Sequence, residues 1–175
     1  PYYYSQLTDA DKAQIKAYLN VDMIASKDGE INISDTDGST IPTLIEGYQT
    51  QGLDSATIDM LRTMHESVKF ADGSLRLEEL TKEAFSKLGF SVKEDLQFAK
   101  NSDTNPFMEH IPTLGINVIT IIEEPAEDDG VAILYAPHYH QIGDDINNVD
   151  KGLLETCMKA VASVIQQIAI EGDAE

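Results

Sequence analysis

The chain has 175 residues, 42% hydrophobic and 25% charged, which is the make-up of one globular domain with a core of ordinary size. Its 31 acidic against 12 basic residues give a formal charge of −19, which repels phosphate backbones and anionic headgroups and argues against nucleic acid or a membrane surface as partner. No apolar run approaches the ~20 residues of a bilayer span, and no signal-peptide pattern opens the chain. It begins at Pro1 rather than Met, so its start is expected to be a processing point or a cut in a longer sequence, with room for an export signal upstream. The single cysteine, Cys157, cannot form an intramolecular disulfide and sits in an apolar helical pattern, as a small core residue does.

Taken in chain order, Thr8 with Asp11 three residues on predicts a capped short helix to about Tyr18. Leu19 to Ala25 reads as a short buried strand interrupted by Asp22. Lys27-Asp28-Gly29 reads as a tight turn, and Glu30 to Ser34 as a second strand. Asp35-Thr36-Asp37-Gly38-Ser39 is a loop able to cap a helix from Thr40 to about Gln49, stopped by Gly52. Two amphipathic helices follow, over Asp54 to Lys69 (Met60, Leu61, Met64 and Val68 in its stripe) and Leu75 to Leu88 (Leu77, Leu80, Ala84 and Leu88). Ser102 to Glu109 reads as a loop entering a short helix. Ile111 to Ile122 is the most strand-like run, with a bend expected at Gly115, and Glu123 to Asp129 an acidic loop. Lys151 to Ala169 completes the chain as a long helix with Leu154, Cys157, Met158, Val161, Ile165 and Ile168 on one face. Apolar strands mixed with amphipathic helices predict an α/β fold in one domain.

Four local groupings carry chemistry. Asp22 lies in an apolar strand, where a carboxylate needs a cation, a hydrogen-bond network or an exit to solvent; an acid that caps a turn is the plainer alternative. His140 follows Tyr139 and precedes Asp144 by four residues, and His138 stands two residues earlier, so both histidines could share one side of an extended segment. Imidazole is the commonest metal ligand, although a loop histidine is often simply solvated. Asp103 precedes Asn105-Pro106, a usual turn start. Glu123-Glu124 offers paired carboxylates within a solvated acidic run.

The order of these groupings says more than each alone. Asn20-Val21-Asp22-Met23, Asp37-Gly38-Ser39, Ser102-Asp103-x-x-Pro106-Phe107, Ile111-Pro112, Tyr139-His140-x-x-x-Asp144 and Asn148-Val149-Asp150 lead into a final amphipathic helix. The series resembles the second half of the co-catalytic zinc exopeptidases, which include secreted leucine aminopeptidases, aminopeptidase Y and glutamate carboxypeptidase. It covers about 19–53 and 101–169. The resemblance implies part of a three-layer αβα fold with a mixed sheet, with 53–100 as a helical insertion. It also implies two zinc ions and hydrolysis of N-terminal residues from peptides. By it, Asp22 ligates one zinc and His140 the other, Tyr139 hydrogen-bonds the tetrahedral intermediate, and Asp103 supports the site from behind the ligands. A secreted family implies an extracellular or periplasmic location. Glutaminyl cyclases are more distant relatives, and usually carry tryptophan where Tyr139 stands.

The chain departs from that pattern in three places. The family's His-x-Asp and Glu-Glu motifs precede the segment matching Asn20 to Met23; nothing like them lies in the 19 residues upstream, and Glu123-Glu124 falls in the wrong order to replace them. Thr104 stands where the family has histidine. The stretch 53–100 replaces a short connection. Two ligands fall short of the three or four a zinc site takes, so little tightly held zinc is expected in the chain alone. The remaining ligands and strands are expected from a missing N-terminal half or a second copy, at an exposed sheet edge. A non-catalytic interaction domain on the peptidase scaffold is the alternative.

Overall fold

A computed structural model describes residues 2–96, 102–125 and 131–172. Glu127, Asp128 and Asp129 of the expected acidic loop, and Asn101 at the edge of the second matching stretch, lie outside the described residues. Six helices and six strands make up the described elements: α1 (Tyr2–Gln6), α2 (Asp9–Lys12), β1 (Tyr18–Val21), β2 (Glu30–Ser34), α3 (Ile41–Thr50), α4 (Ser55–Glu66), α5 (Ser74–Lys87), β3 (Lys93–Asp95), β4 (Thr113–Ile119), β5 (Ile122–Pro125), β6 (Val131–Leu134) and α6 (Lys151–Gly172). Four strands form one sheet in the order β1-β4-β2-β3, and β5 with β6 forms an antiparallel hairpin that pairs Ile122 with Leu134 and Pro125 with Val131. Tyr18 N–H to the Pro112 carbonyl and Asp22 N–H to the Ile116 carbonyl keep one register, so β1 and β4 run parallel. Ser34 lies against Gly115 and Gly29 against Val118 and Ile119, so β2 runs antiparallel to β4. The sheet is mixed and the class α/β, as expected.

The described chain forms two interleaved compact units, residues 1–20, 33–79 and 94–115 in one and 21–32, 80–93 and 116–175 in the other. In the first, the Asp35–Thr40 loop is built around buried carboxylates. Asp35 accepts from the N–H groups of Gly38, Ser39 and Thr40 and from the Thr40 hydroxyl, while Glu78 accepts from both the N–H and the hydroxyl of Thr36. Those acceptors hold the turn that leads into α3, whose own N-cap, Thr40, makes no side-chain cap. In the second unit, α6 buries Cys157, Ala160 and Val164.

Several expectations need correcting. The opening helix breaks after Lys12, and Tyr18 begins β1 instead. The 53–100 stretch adds an edge strand, β3, as well as two helices. Ser102 to Glu109 forms successive turns rather than a helix, the 111–122 run divides between β4, which contains Gly115, and the start of β5, and Glu123 and Glu124 belong to β5 rather than to a loop. In α4 the inward face carries Ile58 and His65, and Met60 (63% exposed) and Met64 (49%) point outward, because the His65 ring is drawn in by a 3.0 Å bond to the Tyr48 hydroxyl. Leu88 is exposed beyond the end of α5. Met158 and Ile165 lie on the open side of α6. By length and composition alone Lys151–Ile170 would suffice to cross a bilayer, contrary to the expectation that no run reaches that length; Cys157, Ala160 and Val164 form its buried stripe.

Candidate functional site

Asp22 stands just past the end of β1 and is exposed, so of the possible fates for this carboxylate the chain uses the exit to solvent. The next residue, Met23, has φ +53°. That turn lets the Met23 carbonyl, rather than that of Asp22, accept the Val118 N–H at 3.2 Å, while the Asp22 N–H still bonds Ile116 at 3.1 Å. Asp22 is therefore held at the sheet end by its own backbone, with its side chain free of that duty.

His140 lies in a run of turns, not in an extended segment: both His138 (φ +60°) and His140 (φ +59°) adopt the left-handed conformation. Such backbone costs on the order of 1–3 kcal/mol per residue and persists where surrounding structure enforces it. The Tyr139 ring stacks on the His140 imidazole at 3.8 Å between centroids and meets Tyr135 edge-on at 6.1 Å. His138 packs over Gly143, where an added Cβ would come within 2.6 Å of its Nδ1. The Gly143 carbonyl accepts from the Asn148 amide, and Asp145 caps the short turn at 146–148.

The two loops are joined. Ser26 and Val149 form an antiparallel bridge, the Asp150 N–H donates to the Ala25 carbonyl at 2.9 Å, and the Lys27 ammonium donates to the Asn147 carbonyl at 2.5 Å. Residues 147–150, downstream of the His140 turns, are thus fastened at three points to residues 25–27, which follow Asp22, all within one unit. The Asp22 and His140 side chains are both exposed, so a cation can reach them from solvent. Carboxylate and imidazole suit zinc, but among the described residues no three His, Cys, Asp or Glu side chains come together. The chain therefore fits a share of a zinc shell rather than a complete one.

Asp103 belongs to the other unit. It is exposed in the turn after Ser102, and its charge, second to burial, raises the Tyr18 phenol above its ordinary pKa. Thr104, in place of the family's histidine, is fully buried with its hydroxyl 2.5 Å from that of Ser102. Tyr18 stacks on Phe107 at 4.1 Å, and Tyr4 meets Phe107 edge-on. Sequence reasoning missed Asn117 in β4, whose side-chain oxygen is buried with no hydrogen-bond partner among the described residues. No local pattern signals it, because its meaning depends on the strand beside it.

The sequence profile of Peptidase family M28 matches residues 2–165. Leucine aminopeptidase 2 of Trichophyton rubrum is 26% identical over 174 residues, covering 96% of this chain and 30% of that protein. Leucine aminopeptidase 2 proteins of Arthroderma otae and Trichophyton equinum match at the same identity and coverage. The chain thus spans about a third of the length of these relatives. With a family profile matched across nearly its whole length, the chain belongs to Peptidase family M28.

Proposed function

We propose that this chain is part of a zinc-dependent, aminopeptidase-like exopeptidase in which Asp22 and His140 each ligate one of two zinc ions. The observation that supports this reading is the threefold fastening of residues 147–150, downstream of His140, to residues 25–27, just after Asp22. Zinc, when bound, supplies a Lewis acid for a substrate carbonyl and lowers the pKa of a water. Asp22 contributes negative charge and His140 a neutral imidazole whose plane is set by the Tyr139 ring. The Tyr139 phenol is a donor suited to charge developing on a carbonyl oxygen. For Asp103 as a support behind the ligands, only the family resemblance speaks.

The remaining ligands, the general base and further strands come, on this reading, from another segment of the protein or a second copy. Peptides are the substrate, not nucleic acid or membrane. An extracellular or periplasmic location accompanies a resemblance to secreted aminopeptidases. The test is His140→Ala in the full-length natural protein. Bound zinc should fall, and hydrolysis of leucine anilide should drop by about 100-fold or more. Undiminished zinc-dependent activity would reject the assignment.

One observation favours a second reading, a non-catalytic interaction domain on the same scaffold: no cluster of three potential ligands occurs among the described residues. The sequence preceding Pro1 in the gene decides between them. A His-x-Asp motif and a Glu-Glu pair there would exclude the second.

A further inference from the structure

A buried acceptor without a partner is rare in folded proteins and asks for a reason. The Oδ1 atom of Asn117 is such an acceptor. Its neighbours in β4, Ile116 and Val118, are fully buried and apolar. Successive side chains of a strand point to opposite faces, so Asn117 lies across the strand from that apolar pair.

Register supplies the context. The Ile116 carbonyl accepts from the Asp22 N–H, and the Val118 N–H donates to the Met23 carbonyl. Those two bonds flank Asn117 and set it opposite Asp22 across the parallel pair. Adjacent residues of paired strands share a face. Asn117 is therefore the β4 residue opposite the aspartate assigned to zinc, at the end of the sheet where residues 25–27 bond to 147–150.

We infer that Asn117 is a substrate-binding residue whose Oδ1 accepts a hydrogen bond from an N–H or O–H group of the bound peptide. The donor is either the terminal ammonium or a group on the first side chain. This rests on the reading of Asp22 and His140 as metal ligands. A site built around a waiting acceptor discriminates strongly, because a ligand without the donor leaves the acceptor desolvated and unpaired.

The experiment compares Asn117→Leu with the unaltered full-length protein on two substrates, leucine anilide and glutamine anilide. The first offers its ammonium alone at that end, and the second adds a side-chain donor. Zinc content and melting temperature are read alongside KM and kcat. The replacement should raise KM about tenfold, keep bound zinc, and leave the melting temperature equal or higher. A rise for both substrates assigns the bond to the ammonium, and a rise for glutamine alone to the side chain. Unchanged KM for both overturns the inference, and so does loss of zinc from the Leu variant, which would mark Asn117 as a support of the metal site. His140→Ala is the control. If it loses zinc while Asn117→Leu behaves as wild type, only this inference fails. If His140→Ala keeps zinc and activity, the site assignment itself fails first.

Discussion

Replacing Asp35 by alanine should be among the most damaging single changes in the chain. Its carboxylate is fully buried and accepts four bonds, from Gly38 N–H at 2.8 Å, Ser39 N–H at 3.1 Å, Thr40 N–H at 2.8 Å and the Thr40 hydroxyl at 2.5 Å. Ser39 is exposed and its N–H also reaches Asp37, so water and a second acceptor soften that loss. Gly38 and Thr40 are half-buried and lose their acceptor outright. At about 1–3 kcal/mol for each stranded donor, the expected cost is about 3–5 kcal/mol. That corresponds to a fall of roughly 10 °C in melting temperature for a protein of this size. Asparagine keeps the shape but turns one oxygen into a donor facing other donors, and should cost about half as much. Urea denaturation of the three proteins, with the m-value as a check on compactness, measures both effects. An Asp35→Ala variant within 1 kcal/mol of wild type would refute the claim that this loop is built on its buried acid.

The remaining predictions concern the second unit. Gly29→Ala places a Cβ 2.5 Å from Val118 Cγ1 and 3.2 Å from the Ile119 carbonyl oxygen, so it should cost about 1–3 kcal/mol; an unchanged melting temperature would show that β2 yields there. Burial pushes the Cys157 thiol from 9.0 up to about 11. A pKa raised by folding gives stability that is complete below pH 9 and is lost as pH rises through 11, up to about 2–3 kcal/mol. Cys157→Ala should lack that alkaline loss, as denaturation at pH 8 and pH 11 would reveal, and rapid labelling of the native thiol at pH 8 would contradict its burial.

Much of the fold was legible locally. Glu30 to Ser34 alternates and is flanked by turn residues, and it forms β2 with those same bounds. Thr8 and Asp11 form the capping box expected of them, and Asp54 caps α4 through the Thr57 N–H. The Asp35 loop leads into α3 as its composition suggests, but its carboxylate holds the turn before the helix, at Gly38, Ser39 and Thr40, rather than the helix's own first N–H groups. What was not legible turned on distant partners. β3 is three residues with no apolar period of its own, and exists because β2 offers an edge. The inward face of α4 was misjudged because a histidine that finds a tyrosine hydroxyl buries more readily than a methionine facing water.

The candidate site divides in the same way. Asp22, Tyr139 and His140 stood out by residue type and order, while the left-handed turns at Met23, His138 and His140 and the bonds from 25–27 to 147–150 were invisible. By itself the sequence determined the α/β class, the approximate bounds of β2 and of α3 to α6, the Thr8 capping box and the residues with ligand chemistry. Each of these is settled by side chains within a few positions of one another. Only the tertiary structure decided which helix faces turn inward, that residues 147–150 are anchored to the segment after Asp22, and that Asn117 stands opposite that aspartate. Those outcomes depend on partners from 17 to more than a hundred residues away, and such pairing is fixed by how whole surfaces pack rather than by any local pattern.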